Sequence, residues 1–229
     1  MLEGARLIAE ALRAQLPPAM VFYERAAFDT DANLRALVVA MQKQTRQVYE
    51  INAQVMRALA DTETPQGIAA VFPMPQIPLP PQPQLLLILD RIRDPGNLGT
   101  MLRTAWAANV SAVLLAPETA DAFNPKVVRA GMGAHFHLPL QTASWDEIAA
   151  RVQDMPRVYL GDASGQTPYT RADWSPPLAL IVSNEAEGAC ADARRIATRV
   201  IWIPMPGTAE SLNAAVAAGI LLFEAIRAA

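Results

Sequence analysis

The sequence predicts an α/β chain in two parts, the second of them built on an open parallel sheet. Three observations predict it. Short apolar runs alternate with helical segments along the chain. In the second part these are short apolar runs, as expected for strands covered on both faces. Between the parts stands a stretch in which six of eleven residues are proline: Pro73, Pro75, Pro78, Pro80, Pro81 and Pro83.

The first part, residues 1–72, reads as a small mixed domain. Glu3–Leu16 carries helical spacing in Leu7, Ile8, Ala11 and Leu12. Met20–Tyr23 is a short apolar strand. Asn33–Gln42 follows as a helix, Gln47–Ile51 as a strand, Asn52–Ala60 as a helix capped by Asn52, and Gly67–Phe72 as the last strand. No catalytic constellation is visible, so a binding or scaffolding role is expected. Residues 73–83 should form a semi-rigid linker, because proline fixes φ and cannot donate to a ladder.

In residues 84–229 the expected strands are Leu85–Leu89, Ala112–Leu115, Phe136–Leu138, Val158–Leu160, Leu178–Val182 and Val200–Ile203. The expected helices are Asn97–Ala108, Asn124–Gly131, Trp145–Val152 and Leu212–Ala228. The last is apolar around much of its surface and should be buried in the core or at a subunit interface. Ligands of such a sheet gather at the carboxyl ends of its strands.

Three polar stretches stand at those ends. After Leu89 comes Asp90-Arg91-Ile92-Arg93-Asp94-Pro95-Gly96-Asn97-Leu98-Gly99, with Arg103 further along the helix. A plain helix cap accounts for Asn97 but leaves Gly99 and Arg103 unexplained. Val182-Ser183-Asn184-Glu185-Ala186-Glu187-Gly188 is a buried strand running into an acidic turn. Ile203-Pro204-Met205-Pro206-Gly207 leads through Ser211, which is expected to cap the last helix, to Leu212 and Asn213. There is no Ser/His/Asp set. Nor is there a G-x-G-x-x-G or P-loop, which disfavours an ordinary dinucleotide fold. Loops of this kind suit a cofactor that brings its own reactive group.

Composition narrows the class further. The formal charge is −3, and of 19 basic residues all but Lys43 and Lys126 are arginine. Bulk charge gives no sign of a nucleic-acid binder, although arginine suits bidentate phosphate contacts. His135 and His137 lack ligand spacing around them, so no metal is expected, and Cys190 alone excludes an internal disulfide. No apolar run of about 18 residues is present, so no membrane span is expected. The start lacks a secretory signal, and a cytoplasmic protein is expected.

The three stretches, in this order and spacing, resemble the signature motifs of the SpoU/TrmH family of the knotted (SPOUT) methyltransferases. Asn97, Gly99 and Arg103 match the first motif, Glu185 and Gly188 the second, and Pro204, Met205, Gly207, Ser211, Leu212 and Asn213 the third. Val128–Ala134 also resembles a family stretch. Leu2-Glu3-Gly4 and Thr64–Ile68 look like pieces of the ribosomal-protein-like substrate domain common in this family. The resemblance implies a trefoil knot in the second part and a homodimer whose site is completed across the interface. It further implies methyl transfer from S-adenosylmethionine to a ribose 2′-hydroxyl of RNA, with ribosomal RNA ahead of transfer RNA.

It assigns catalytic roles to Asn97, Arg103, Glu185, Ser211 and Asn213, and cofactor contacts to Ser183, Asn184, Gly188, Ile203, Met205, Ser211 and Leu212. Arg103 would position substrate and stabilise charge rather than act as a base, because a guanidinium keeps its proton. Asn97 would orient Arg103 or the ribose, and Glu185 would hold the hydrogen-bond network.

The chain departs from the family at Ser183 and Ala186, where glycine is expected, and at Gly131, where serine is expected. Relatives often carry a basic segment ahead of Leu-Glu-Gly, so a truncated form or a late start codon is expected. A non-catalytic RNA-binding or assembly module that keeps the knotted fold is the alternative reading.

Overall fold

The structure is a computed structural model describing residues 1–184, 187–208 and 211–228. The chain divides into two compact units, Met1–Gln76 and Ile77–Ala229.

The first unit runs β1 (Leu2–Glu3), α1 (Ala5–Arg13), β2 (Met20–Glu24), α2 (Arg25–Thr30), α3 (Ala32–Gln42), β3 (Val48–Ile51), α4 (Ala53–Leu59) and β4 (Ile68–Val71). Its sheet has the order β1-β4-β2-β3, with β2 and β3 parallel and the other pairs antiparallel. Ile8, Val21, Val38, Met41 and Met56 are buried in this unit. Asn52 caps α4 by accepting from the Val55 N–H at 2.9 Å. Asp31 caps α3 through the N–H groups of Asn33 and Leu34. The sequence reading did not contain β1 or α2. The first is two residues long, and the second buries none of its residues, so it leaves no apolar period to detect.

The second unit runs β5 (Leu85–Asp90), α5 (Pro95–Ala107), β6 (Ala112–Leu115), α6 (Pro125–Gly131), β7 (Leu140–Thr142), α7 (Trp145–Val152), β8 (Arg157–Gly161), β9 (Thr167–Pro168), β10 (Leu178–Ser183), α8 (Ala191–Ile196), β11 (Arg199–Trp202) and α9 (Ala214–Ala228). The strand order is β7-β6-β5-β10-β8-β11-β9, with every recorded pair parallel. Strands β5 and β10 are buried at every residue because both faces are covered. Leu85, Leu87 and Leu89 face α5 and α9, whereas Leu86 and Ile88 face α7 and α8. Within the proline run, Leu79 packs on this second core and the Pro80 carbonyl accepts from the Arg151 guanidinium.

Three expectations need correction. Residues Ala134–Phe136 form a 3₁₀ turn, and the strand lies further on at β7. Met132 and Gly133 both take positive φ (49° and 102°), which turns the chain before it can extend. His135, Phe136 and Leu138 are nonetheless buried, so an apolar run marked burial rather than a strand. Helix α5 begins at Pro95 with Asp94 as its cap, Oδ1 accepting from the Asn97 N–H at 2.7 Å. Pro95 loses nothing there, since an N–H in the first turn has no helical partner. The start of α9 is held by Asn213, not Ser211: its Oδ1 accepts from the N–H groups of Ala215 (2.9 Å) and Val216 (3.3 Å).

Helices α5 and α6 meet closely at Gly99. A Cβ there would stand 2.5 Å from Ala130 Cβ and 2.6 Å from the Val127 carbonyl oxygen. The glycine of the first motif therefore has a packing cause, and it fixes the helix that carries Asn97 and Arg103. Replacing Gly99 by alanine should lower stability by about 1–2 kcal/mol in urea unfolding, since overpacking outweighs the roughly 1 kcal/mol that alanine gains within a helix. An unchanged or raised midpoint would show that this contact can yield.

Candidate active site

Strand β10 lies between β5 and β8, and the chain leaves β5 and β8 towards opposite edges of the sheet. The carboxyl ends of these strands border a crevice of the kind in which open α/β sheets bind ligands. It opens into a cavity of about 200 Å³. Gly161, Asp162 and Ala163 enter from the end of β8, and Val182, Ser183 and Asn184 from the end of β10. Ile201, Ile203 and Met205 follow β11, and Ser211, Leu212 and α9 close the far wall through Ala214, Ala217 and Leu221. Gly188 completes the lining, with the positive φ of 65° that glycine takes without strain. All seven residues expected to contact a cofactor (Ser183, Asn184, Gly188, Ile203, Met205, Ser211 and Leu212) thus stand on one cavity.

Among the residues expected to be catalytic, Asn97 and Asn213 are joined directly. Asn213 Nδ2 donates to Asn97 Oδ1 at 2.9 Å across 116 positions of sequence. Two caps make this possible: Asp94 holds the first turn of α5 and so leaves the Asn97 side chain for this contact, while Asn213 Oδ1 caps α9 and its Nδ2 reaches across. Ser211 is exposed and lines the cavity. Arg103 is exposed on α5, roughly 9 Å along the axis from Asn97 at the usual helical rise. It makes no ion pair among the described residues. Glu185 and Ala186 lie outside the described residues.

A latch that the sequence reading missed ties the first motif to the second. The Asp90 carboxylate is fully buried at the end of β5. Its Oδ2 accepts from the Cys190 N–H at 2.9 Å and its Oδ1 from Arg91 Nε at 3.3 Å. The Asp90 carbonyl accepts from the Asn184 N–H at 3.1 Å. Arg91 then reaches along the same turn, donating from Nη2 to the Gly188 carbonyl (2.8 Å) and from Nη1 to Glu187 (2.9 Å). Arg93 holds Glu187 as well, and Glu118 beyond it.

The other reactive side chains have structural roles. Burial pushes the Cys190 thiol above its ordinary pKa, and its Sγ accepts from the Ala193 N–H at the start of α8. Burial pushes the His135 imidazole below its ordinary value, and Nε2 lies 2.7 Å from the Ala122 carbonyl. The His135 ring fills the space beside Gly131, where a Cβ would stand 2.8 Å from Cε1, so the expected serine has no room. His137 stacks on Trp106 at 4.6 Å. Among the described residues no group of three His, Cys, Asp or Glu is placed to hold a metal. No helix among them is long and apolar enough to cross a membrane.

Residues 84–223 match the SpoU rRNA Methylase family, and residues 1–70 match the MRM3-like substrate binding domain. The chain is 42% identical to the 23S rRNA (guanosine(2553)-2′-O)-methyltransferase RlmP of Bacillus subtilis, over 77% of this chain and 71% of the relative. It is 32% identical to the mitochondrial rRNA methyltransferase 3 of Mus musculus, over 99% of this chain and 67% of that one. Among solved structures, the AdoMet-bound rRNA methyltransferase from Sinorhizobium meliloti superposes with a TM-score of 0.85 at 32% identity, covering 99% of this chain and 86% of the other. The chain belongs to the SpoU rRNA methylase family.

If the latch holds the cavity loop, Arg91→Met should speed amide exchange at Glu187, Gly188 and Cys190 about tenfold while β10 stays protected, as expected for loss of charge-assisted hydrogen bonds. Wild-type exchange rates at those amides would show that the turn holds itself.

Proposed function

We propose that this family member transfers a methyl group from S-adenosylmethionine to the 2′-hydroxyl of a ribose in ribosomal RNA. The observation that carries the reading is the joining of Asn97 to Asn213 beside a cavity lined by Gly188 of the second motif and by Met205, Ser211 and Leu212 of the third. RlmP of Bacillus subtilis and the mouse mitochondrial protein are, by name, rRNA methyltransferases, the former acting on a guanosine 2′-oxygen. The first unit, which matches a substrate binding domain, would hold the RNA.

The residues fit the cofactor. Val182, Ile201, Ile203, Met205, Leu212 and Leu221 give apolar walls suited to an adenine ring. The Ser183 hydroxyl is buried on this cavity with no hydrogen-bond partner among the described residues, which suits it to a polar group of a bound ligand. When bound, S-adenosylmethionine supplies an electrophilic methyl group. Arg103, exposed on α5, would bind the phosphate beside the target ribose and stabilise charge on the 2′-oxygen. The proton would leave to phosphate or water, since a guanidinium cannot accept it. Asn97 and Asn213 would orient the ribose or Arg103. Glu185 would hold the network of which they are part, and Ser211 would contact substrate or cofactor.

The second unit would carry the trefoil knot of the SPOUT fold, with the chain between β11 and α9 threaded through a loop. Two features support this. β11 lies beyond β8, and α9 then returns across the sheet to pack on α5 and β10. A homodimer would form through α9. Val216, Phe223 and Ile226 are exposed at 52%, 49% and 42% along one side of that helix, an apolar stripe that water does not favour.

Replacing Arg103 by alanine should lower the methylation rate by about a hundredfold to a thousandfold while leaving cofactor affinity and the unfolding midpoint unchanged. Wild-type turnover would remove Arg103 from the site. Cofactor binding by wild type without methylation of any ribosomal RNA fragment would favour the non-catalytic RNA-binding module instead. Light scattering should find a dimer at micromolar concentration, and Phe223→Glu should convert it to a monomer. A wild-type monomer would sink the proposed interface.

A further inference from the structure

The cavity has one wall that none of the three motifs supplies. Strand β8 ends at Gly161, and the next residue is Asp162. Among the described residues lining the cavity, Asp162 alone carries a charged side chain. That side chain is only 14% exposed. Burial alone would raise its pKa, but hydrogen bonds from Ser164 and the nearby Arg194 outweigh burial and bring it below the ordinary carboxylate value. An ionised carboxylate is therefore held against a chamber whose other described lining residues are uncharged at neutral pH.

Its two oxygens are differently engaged. Oδ1 accepts twice from Ser164, from the N–H at 2.8 Å and from Oγ at 2.6 Å. That pattern is an ordinary turn and needs no ligand. Oδ2 accepts once, from Arg194 Nη2 at 2.7 Å, and keeps further acceptor capacity among the described residues. The glycine beside it leaves room: a Cβ on Gly188 would stand 3.9 Å from Oδ2. Anchoring α8 to the end of β8 explains the Arg194 contact but not why the carboxylate also lines the cavity.

We propose that the Asp162 carboxylate accepts hydrogen bonds from the ribose hydroxyls of the S-adenosyl cofactor, an inference that rests on the methyl-transfer reading above. The cofactor offers three sets of donors: the adenine amine, the vicinal ribose diol and the ammonium of its amino-acid tail. The ammonium comes tied to a carboxylate, which Asp162 repels. The adenine amine belongs to a ring that the apolar walls already suit. The diol brings two donors and no charge, and an acid at the end of a parallel strand recognises a ribose hydroxyl in dinucleotide folds by the same chemistry.

Calorimetry on the full chain tests this with four ligands: S-adenosylmethionine, 5′-methylthioadenosine, which has the ribose but no amino-acid tail, and the 2′-deoxy and 3′-deoxy analogues of the latter. Asp162→Asn should weaken the first two by about tenfold to a hundredfold, the usual worth of a hydrogen bond to a charged group. Wild type should lose a similar factor on one or both deoxy analogues, and Asp162→Asn should no longer distinguish them from the parent. Arg194→Gln, which breaks the ion pair and keeps the carboxylate, should preserve the preference for the hydroxylated ligand.

If Asp162→Asn keeps the wild-type preference, the ribose assignment is wrong. It is equally wrong if the variant weakens S-adenosylmethionine but not 5′-methylthioadenosine, because the contact is then with the tail. Should wild type bind neither ligand, the methyl-transfer reading fails, and this inference with it.

Discussion

One buried carboxylate organises the site. Asp90 sits at the end of β5 with no exposure to water, where an unpartnered charge would cost several kcal/mol. Its demand for partners is met by the turn that follows β10: the side chain takes the Cys190 N–H and the main chain takes the Asn184 N–H. One residue thus holds both ends of that turn. Arg91, the next residue along, adds its own grip on Gly188. The walls contributed by Ser183, Asn184 and Gly188 are in this way referred to β5, and β5 is also the strand from which α5 departs with Asn97 and Arg103.

Charge in this protein is informative locally and not in bulk. The sequence as a whole is acidic by three charges. Around the crevice, however, most arginines are already committed: Arg91 and Arg93 to Glu187, and Arg194 to Asp162. These pairs are partly solvated and each contributes little to stability. What they contribute is order, since a planar guanidinium fixes the direction of what it binds. Arg103 differs from these three in having no ion pair among the described residues, and its cation stands exposed on the face of α5.

The sequence made much of this legible, for definite reasons. Strands β5 and β10 were readable because burial on both faces leaves an unbroken apolar run, and α7 was placed to the residue. The cavity residues of the second and third motifs were readable as motifs at strand ends. The exact caps were not. Asp94 and Asn97 both have side chains able to cap, and only geometry chose Asp94, just as it chose Asn213 over Ser211. Phe136 misled because a buried 3₁₀ turn is as apolar as a short strand. Asp162 was missed although it follows the predicted strand Val158–Leu160, because a lone acid in a turn has no pattern of its own. The reach of Arg91 to Glu187, across 96 positions, lies beyond any local rule.

The strand order bears on how the protein is made. β10 lies between β5 and β8, and both of those strands precede it in the chain. During synthesis from the N-terminus, β5 presents one unsatisfied edge and β8 presents both, because β8 pairs only with strands that follow it, until residues 178–183 emerge from the ribosome and fill the slot between them. An open apolar edge of this kind is a template for pairing with another nascent chain. The parallel sheet that builds the crevice is therefore most exposed after β8 has been made and before β10 and β11 follow, and it is those two late strands that relieve it.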